Sequence, residues 1–402
     1  MLDNLILHTY IKNNKNSENN YNIAVSIGDI NGIGLEVFIK SLFSLKLNNY
    51  NNIHFTLFFD KYIFINYFKK SNLFTEFLLY FQNEYRLNPE KVFLLKFIEN
   101  LSLYNKNSVL FLDKLFLFLN FNIINVLEIN QIKSDVYRLL PSFGEVSKSS
   151  GELAHFSFLE ATKEVVKGNY DILLTLPIAK ESVYLANWKY PGHTEYISAI
   201  IKKIKGELID KKPLMIISTK EGKVALTTVH IPLSKVSESL NIDLICEKYK
   251  AFFNSLKYDY NIESPKIAIL CLNPHAGENG EIGNEENDII NKAIDIFKND
   301  PIYSKAFDYD KAFPADGFFA YKLYKKYNGV LAMYHDQGLI PYKMLADGGG
   351  VNFTANQSIV RTSPDHGTAF SIAGKNLANS QSTIDAILEG IEIFSNRIEY
   401  NG

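Results

Sequence analysis

The sequence predicts an α/β fold built on a largely parallel sheet. Three observations lead there. Compact apolar runs recur along the chain, among them YDILLTLPIA, PLMIIST, KVALTTVHIP, PKIAILCLNP and NGVLAMYH, each with the length and composition of a buried strand. Segments with apolar residues at helical spacing lie between most of them, for example SSGELAHFSFLEATKEVVKG and EENDIINKAIDIFKND. Histidines follow three of the runs directly, and in sheets wound this way ligands gather at the carboxyl ends of strands.

Taken in order, residues 11 to 22 are rich in Asn, Lys and Ser, and 1–22 reads as an N-terminal extension. NIAVSI then reads as a strand, followed by Gly28, Gly32 and Gly34, an order that suggests strand, tight turn and helix. The run GDINGIG could turn backbone N–H groups toward an anion at a helix start. It is not the dinucleotide fingerprint G-x-G-x-x-G, and alone it reads as a structural turn. Residues from about 41 to 135 are dense in Phe, Leu, Asn, Lys and Tyr and carry no recognisable chemistry; they read as an expanded peripheral α/β segment. From about 150 the pattern becomes regular, with a helix ending at Gly168 and the strand–helix alternation after it.

Composition narrows the class. With 402 residues, 47% hydrophobic and 21% charged, the chain can bury a large core. A net charge of -2 gives no general attraction for nucleic acid or an anionic membrane. Two cysteines, Cys246 and Cys271, are too few for a disulfide framework and suit a reducing cytoplasm. The start of the chain lacks a secretory pattern, so no export is expected. The apolar stretches LFFDKYIFINYF and VLFLDKLFLFLNF are broken by charge and too short to cross a bilayer.

Candidate chemistry sits at the predicted strand ends. His230 follows KVALTTV, His275 follows PKIAILCLNP and His335 follows VLAMY. Any one histidine is usually a structural residue, but three of eight in equivalent positions argue for a site. Neutral imidazoles bind divalent transition metals, and three leave open positions where an alcohol oxygen can bind and be acidified during hydride loss. The carboxylates Asp316, Asp336 and Glu278 could complete such a shell or accept protons, or be caps and solvated residues. Lys343 and Arg361 suit a phosphate or carboxylate, although most isolated cations are merely solvated. In DHGTAFSIAGKNLANS, small residues with His366 and Asn379 would let backbone approach a flat ligand; read alone, it is a loop followed by a helix.

These segments, with GDINGIGLE, LPIAKESVYLANWKYPGHTEY, TTVHIPL, LNPHAGENGEIGNEE, PADGFF, AMYHDQGLIPYK and GVNFTANQSIVRTSPDHGTAFSIAGK in that order, resemble the 4-hydroxythreonine-4-phosphate dehydrogenase family of pyridoxine biosynthesis. The resemblance covers 23 to about 40 and nearly everything from 144 to 395, within a catalytic region 23–402 of two α/β subdomains with the active site between them. It implies NAD or NADP-dependent oxidation of 4-phosphooxy-L-threonine, and a fold similar to isocitrate and isopropylmalate dehydrogenases. It further implies His230, His275 and His335 as ligands of one divalent ion, Zn, Mg, Co or Mn, and His193, Thr194, Lys343, Asn352 and Arg361 as substrate contacts. Gly367, Thr368 and Asn379 become candidate dinucleotide contacts, which accounts for the missing fingerprint. A homodimer with shared active sites is also implied, His230 and His275 coming from one chain and His335 from the other.

The sequence departs from the family pattern at Ile30, Leu35, Gly317 and the ANQS before Arg361, none of which removes a metal ligand. A sister dehydrogenase for another phosphorylated four-carbon hydroxy acid would use the same residues. A non-redox metallohydrolase could activate water with them. A catalytically dead binding protein ranks last, because every metal and anion position is filled.

Overall fold

The computed structural model describes residues 20–47, 50, 52–71, 121–125, 140–206 and 212–401. Ten strands form one sheet among them: β1 (Tyr21–Ser26), β2 (Ile53–Phe59), β3 (Phe121–Asn125), β4 (Ile172–Thr175), β5 (Leu214–Thr219), β6 (Gly222–Leu226), β7 (Ile267–Ile269), β8 (Gly329–Ala332), β9 (Val351–Ala355) and β10 (Val360–Pro364). Their spatial order is β3-β2-β1-β4-β10-β9-β5-β6-β8-β7. The sheet is largely parallel, as the alternating pattern predicts. It comprises a parallel block β3-β2-β1-β4-β10 and a second parallel block β6-β8-β7, joined through β9 and β5 by antiparallel pairings. The two blocks therefore point in opposite directions.

Near-continuous apolar strands mean that both faces are covered. The helix Lys148–Val166 buries Leu153, Ala154, Phe158, Ala161 and Val165 and packs on β1 and β2. It starts where the Ser147 hydroxyl accepts from Ser150 N–H. It ends where Gly168 N–H reaches Val165 O and Asn169 N–H reaches Glu164 O, a paired bonding that satisfies carbonyls otherwise left open. The C-terminal helix Gln381–Asn401 lies over β10, β4 and β9. One core cluster runs through the first block, and a smaller one, with Val224, Leu226, Val330, Leu339 and Tyr342, underlies the second.

The glycine run after β1 is a joint rather than an anion cradle. Asp29 N–H bonds Pro177 O, and Ile33 N–H bonds Thr368 O. A Cβ at Gly32 would lie 2.8 Å from Thr368 O, so only glycine lets the two loops meet. Asn31 extends the joint by accepting from Ser142 N–H and donating to Glu145 O. The extension 1–22 falls outside the described residues except for its last three. Of the segment 41–135, the described parts supply β2, the helix Lys61–Lys70 and β3 at one sheet edge, and the rest lies outside them. No helix among the described residues is long and apolar enough to cross a membrane.

Candidate active site

The three histidines share one rim of the sheet. Their strands are neighbours, with β8 between β6 and β7, all parallel. The ladder continues past the strand ends, since Thr227 N–H bonds Ala332 O and Thr228 N–H bonds Met333 O. This brings His230 and His335 together with ring centroids 5.8 Å apart. Gln337 ties the neighbouring strand in, accepting from Met333 N–H and donating to Cys271 O.

His335 Nδ1 lies 2.7 Å from Asp336 Oδ1. A carboxylate only accepts, so Nδ1 carries the proton and Nε2 keeps a free lone pair, the arrangement that orients metal-binding imidazoles. Partial burial, with the Lys180 ammonium next, pushes the pKa of His230 down, so its ring is neutral at pH 7. Two imidazoles side by side suit a divalent cation. His275 is carried at the end of β7 on a left-handed turn and is solvent-exposed. Among the described residues no three His, Cys, Asp or Glu side chains converge on a point within the single chain. Within one chain the histidine rings recorded in contact are those of His230 and His335, on the adjacent strand ends of β6 and β8. Asp316, exposed in the first turn of the helix Ala315–Ala320, follows the segment bridged to β7 at Leu270–Phe313.

The turn bearing His275 has five successive residues at positive φ, His275 through Asn279. Glu286, 1% exposed, holds its base by accepting from Leu272 N–H, Asn273 N–H and the Asn273 side-chain amide at 2.8 to 2.9 Å.

A second cluster centres on Arg361. This guanidinium is buried in β10, and its partners are neutral: Thr175 Oγ1, Thr354 Oγ1 and His193 Nδ1. Burial pulls its pKa down to about 10, which still leaves it charged. His193 opens the helix His193–Lys205 and packs against Phe158 and Trp188. Burial, then the Arg361 charge, depresses its pKa well below the ordinary range. Thr194 lies in the same first turn, accepting with its carbonyl from Ser198. Asn352 sits on β9 two residues before Thr354, so both face the same side as Arg361. Lys343, two turns after His335, pairs with Asp365 at 3.2 Å, joining two motifs that lie apart in sequence.

Gly367 and Thr368 lie in the loop after β10, and Asn379 closes it by accepting from Gln381 N–H. Sequence reading passed over Thr175, Thr354, Asp365, Glu286 and Lys180. Thr175 and Lys180 had a usable signal, since they flank the carboxyl end of β4.

The family model for "Pyridoxal phosphate biosynthetic protein PdxA" matches residues 98–389, well over half of the chain. The chain belongs to the PdxA family. Among PdxA relatives, the 4-hydroxythreonine-4-phosphate dehydrogenase of Bacteroides thetaiotaomicron is 40% identical over 255 residues, 63% of this chain and 67% of that protein. The enzyme of the same name from a Sulfurihydrogenibium species is 40% identical over 253 residues, 63% of this chain and 74% of its own length. The crystal structure of 4-hydroxythreonine-4-phosphate dehydrogenase from Klebsiella pneumoniae superposes with a TM-score of 0.64 at 28% identity, covering 93% of this chain and 99% of that one. The α/β architecture described above is therefore that of the PdxA fold.

Proposed function

We propose that this chain catalyses the NAD(P)-dependent oxidation of 4-phosphooxy-L-threonine to 2-amino-3-oxo-4-phosphooxybutanoate, which loses carbon dioxide to give 3-amino-2-oxopropyl phosphate. Membership of the PdxA family and the shared name of its relatives support the reaction and its place in pyridoxal phosphate synthesis. The observation that brings the reading to particular residues is Arg361, a buried cation whose partners are all neutral. Glu195 attracts this charge, but less than burial penalises it, so an anionic substrate group bound directly to the guanidinium would offset the remaining cost.

In this reading His193, Thr194, Asn352 and Arg361 recognise the substrate's charged and polar groups, and Lys343 adds an ammonium from the His335 helix. His230, His275 and His335 would hold a divalent cation, zinc, cobalt, magnesium or manganese, which would polarise the oxygen undergoing oxidation. The dinucleotide would supply the hydride acceptor for the hydroxyl-bearing carbon, and Asp316 and Asp336 are the carboxylates near that rim that would take the hydroxyl proton. The loop carrying Gly367, Thr368 and Asn379 is assigned to the dinucleotide. We assign a homodimer with shared active sites, His230 and His275 coming from one chain and His335 from the other, which is supported by the absence of a three-ligand cluster among the described residues of one chain. The two free thiols suit a cytoplasmic enzyme.

The test is reduced-dinucleotide formation with 4-phosphooxythreonine and with 4-phosphoerythronate, each with NAD and NADP, before and after chelation. Chelator-sensitive turnover favouring 4-phosphooxythreonine is expected. Preference for 4-phosphoerythronate would move the chain to the sister activity, and no reduced dinucleotide with either substrate would overturn the reading.

A further inference from the structure

The Arg361 cluster carries more than anion binding. A guanidinium has five N–H groups and no acceptor. Nε and Nη2 donate to Thr175 Oγ1 at 3.0 and 2.6 Å, and Nη1 donates to Thr354 Oγ1 at 3.0 Å. Both threonines are essentially inaccessible, on strands that flank β10. Nη2 also lies 3.3 Å from His193 Nδ1. Because Nη2 can only donate, Nδ1 accepts, and the imidazole proton resides on Nε2. That Nε2 is buried and has no hydrogen-bond partner among the described residues. Phe158 and Trp188, with ring centroids 4.7 and 5.8 Å away, restrain the ring from turning over.

The choice of threonine matters. A carboxylate at either position would fix the guanidinium equally well but would neutralise it. Two hydroxyls fix its plane and leave the charge to act elsewhere. β-branched residues also suit these strand positions and have few rotamers, so the acceptors are themselves fixed.

We propose that Thr175 and Thr354 are positioning residues: they orient Arg361 so that it holds His193 in the Nε2–H tautomer, presenting a single buried N–H donor to an anionic oxygen of the substrate. The proposal rests on the reading of this cluster as the substrate's anion site. It adds that His193 acts as a neutral donor whose orientation is set through Arg361, by hydroxyls that need not touch the substrate.

The test uses the full chain, labelled with 15N-histidine, together with steady-state kinetics. His193 is assigned by its loss in His193→Asn. In the unliganded wild-type protein the expected spectrum has a protonated Nε2 and an unprotonated Nδ1. Thr175→Val, which keeps the volume, should give a mixture of tautomers and raise KM about ten- to hundredfold, with kcat changed less than about threefold, as befits loss of hydrogen bonds to a charged group. Thr175→Ser should restore both readings, and Thr354→Val should give a weaker version of the Thr175→Val result. A wild-type Nδ1–H tautomer, or an unchanged KM in Thr175→Val, overturns the proposal. The spectrum needs no substrate, so it separates the two layers. If Arg361→Ala leaves KM unchanged while the tautomer assignment holds, the anion-site reading fails on its own.

Discussion

The left-handed turn at His275 can be disturbed from a distance. His275, Ala276, Glu278 and Asn279 all sit at φ between 46° and 57°. Each such residue costs about 1–2 kcal/mol, less for Asn, so the turn stores about 4–7 kcal/mol. Against this stand the bonds received by the Glu286 carboxylate from Leu272 N–H, Asn273 N–H and the Asn273 amide. Bonds to a charged group contribute about 1.5–3 kcal/mol each, about 5–9 kcal/mol together. The two sums are close, so the turn is held with little surplus. In Glu286→Gln the neutral carbonyl still accepts, but the new amide faces the Asn273 amide, donor against donor. The loss of one bond and of the charge removes about 3 kcal/mol or more, enough to release the turn. Hydrogen exchange followed by mass spectrometry should show faster exchange at 275–283, with turnover falling at least about tenfold as His275 loses its fixed position. Wild-type protection of that peptide in Glu286→Gln would refute the reasoning.

Other outcomes follow from the same geometry. Glu389, whose carboxyl accepts from Tyr260 Oη at 2.6 Å, has its pKa raised by burial from 4.5 to about 7. A raised folded value means that stability is fully present below the unfolded value and is lost as pH rises toward 7. Urea midpoints should therefore fall between pH 5 and pH 8 by an amount worth about 2 kcal/mol, and Glu389→Gln should flatten that slope. In Gly151→Ala the added methyl would lie 1.9 Å from Ser182 O, forcing the helices Lys148–Val166 and Lys180–Leu185 apart; a stability loss of about 3 kcal/mol in urea titration is expected. Co-expressing His275→Ala with His335→Ala should recover up to about half the sites in verified heterodimers, because one site then keeps all three histidines. No recovery with confirmed exchange would place each site within one chain.

The sequence was most readable where chemistry follows local pattern. A period of apolar runs located β6, β7 and β8, and the histidines lay just beyond each end, so three candidate ligands were visible as one constellation. What stayed hidden depends on partners distant in the chain. Thr175 and Arg361 are 186 residues apart and meet only because β10 inserts beside β4. Lys343 and Asp365 belong to separate motifs and look like ordinary polar residues until the helix and strand dock. Strand order, which no local pattern encodes, sets His230 beside His335 within a chain. Glu286 reads as one of several acids in NEEND, and nothing in that run says it supports the turn a dozen residues earlier.

The insertion of β10 between β4 and β9 has a consequence for synthesis. β4 is made early, yet its partner on one side does not exist until the ribosome has added nearly two hundred more residues. At ordinary elongation rates that interval is about 10–40 s. Throughout it, ILLT presents a largely apolar edge with unpaired backbone groups, the kind of surface on which nascent chains associate. A ribosome stalled before Val360 would release a chain with that edge uncovered. Truncation near the C-terminus should therefore cost solubility first, and chaperone demand should track translation time across the interval between these two strands.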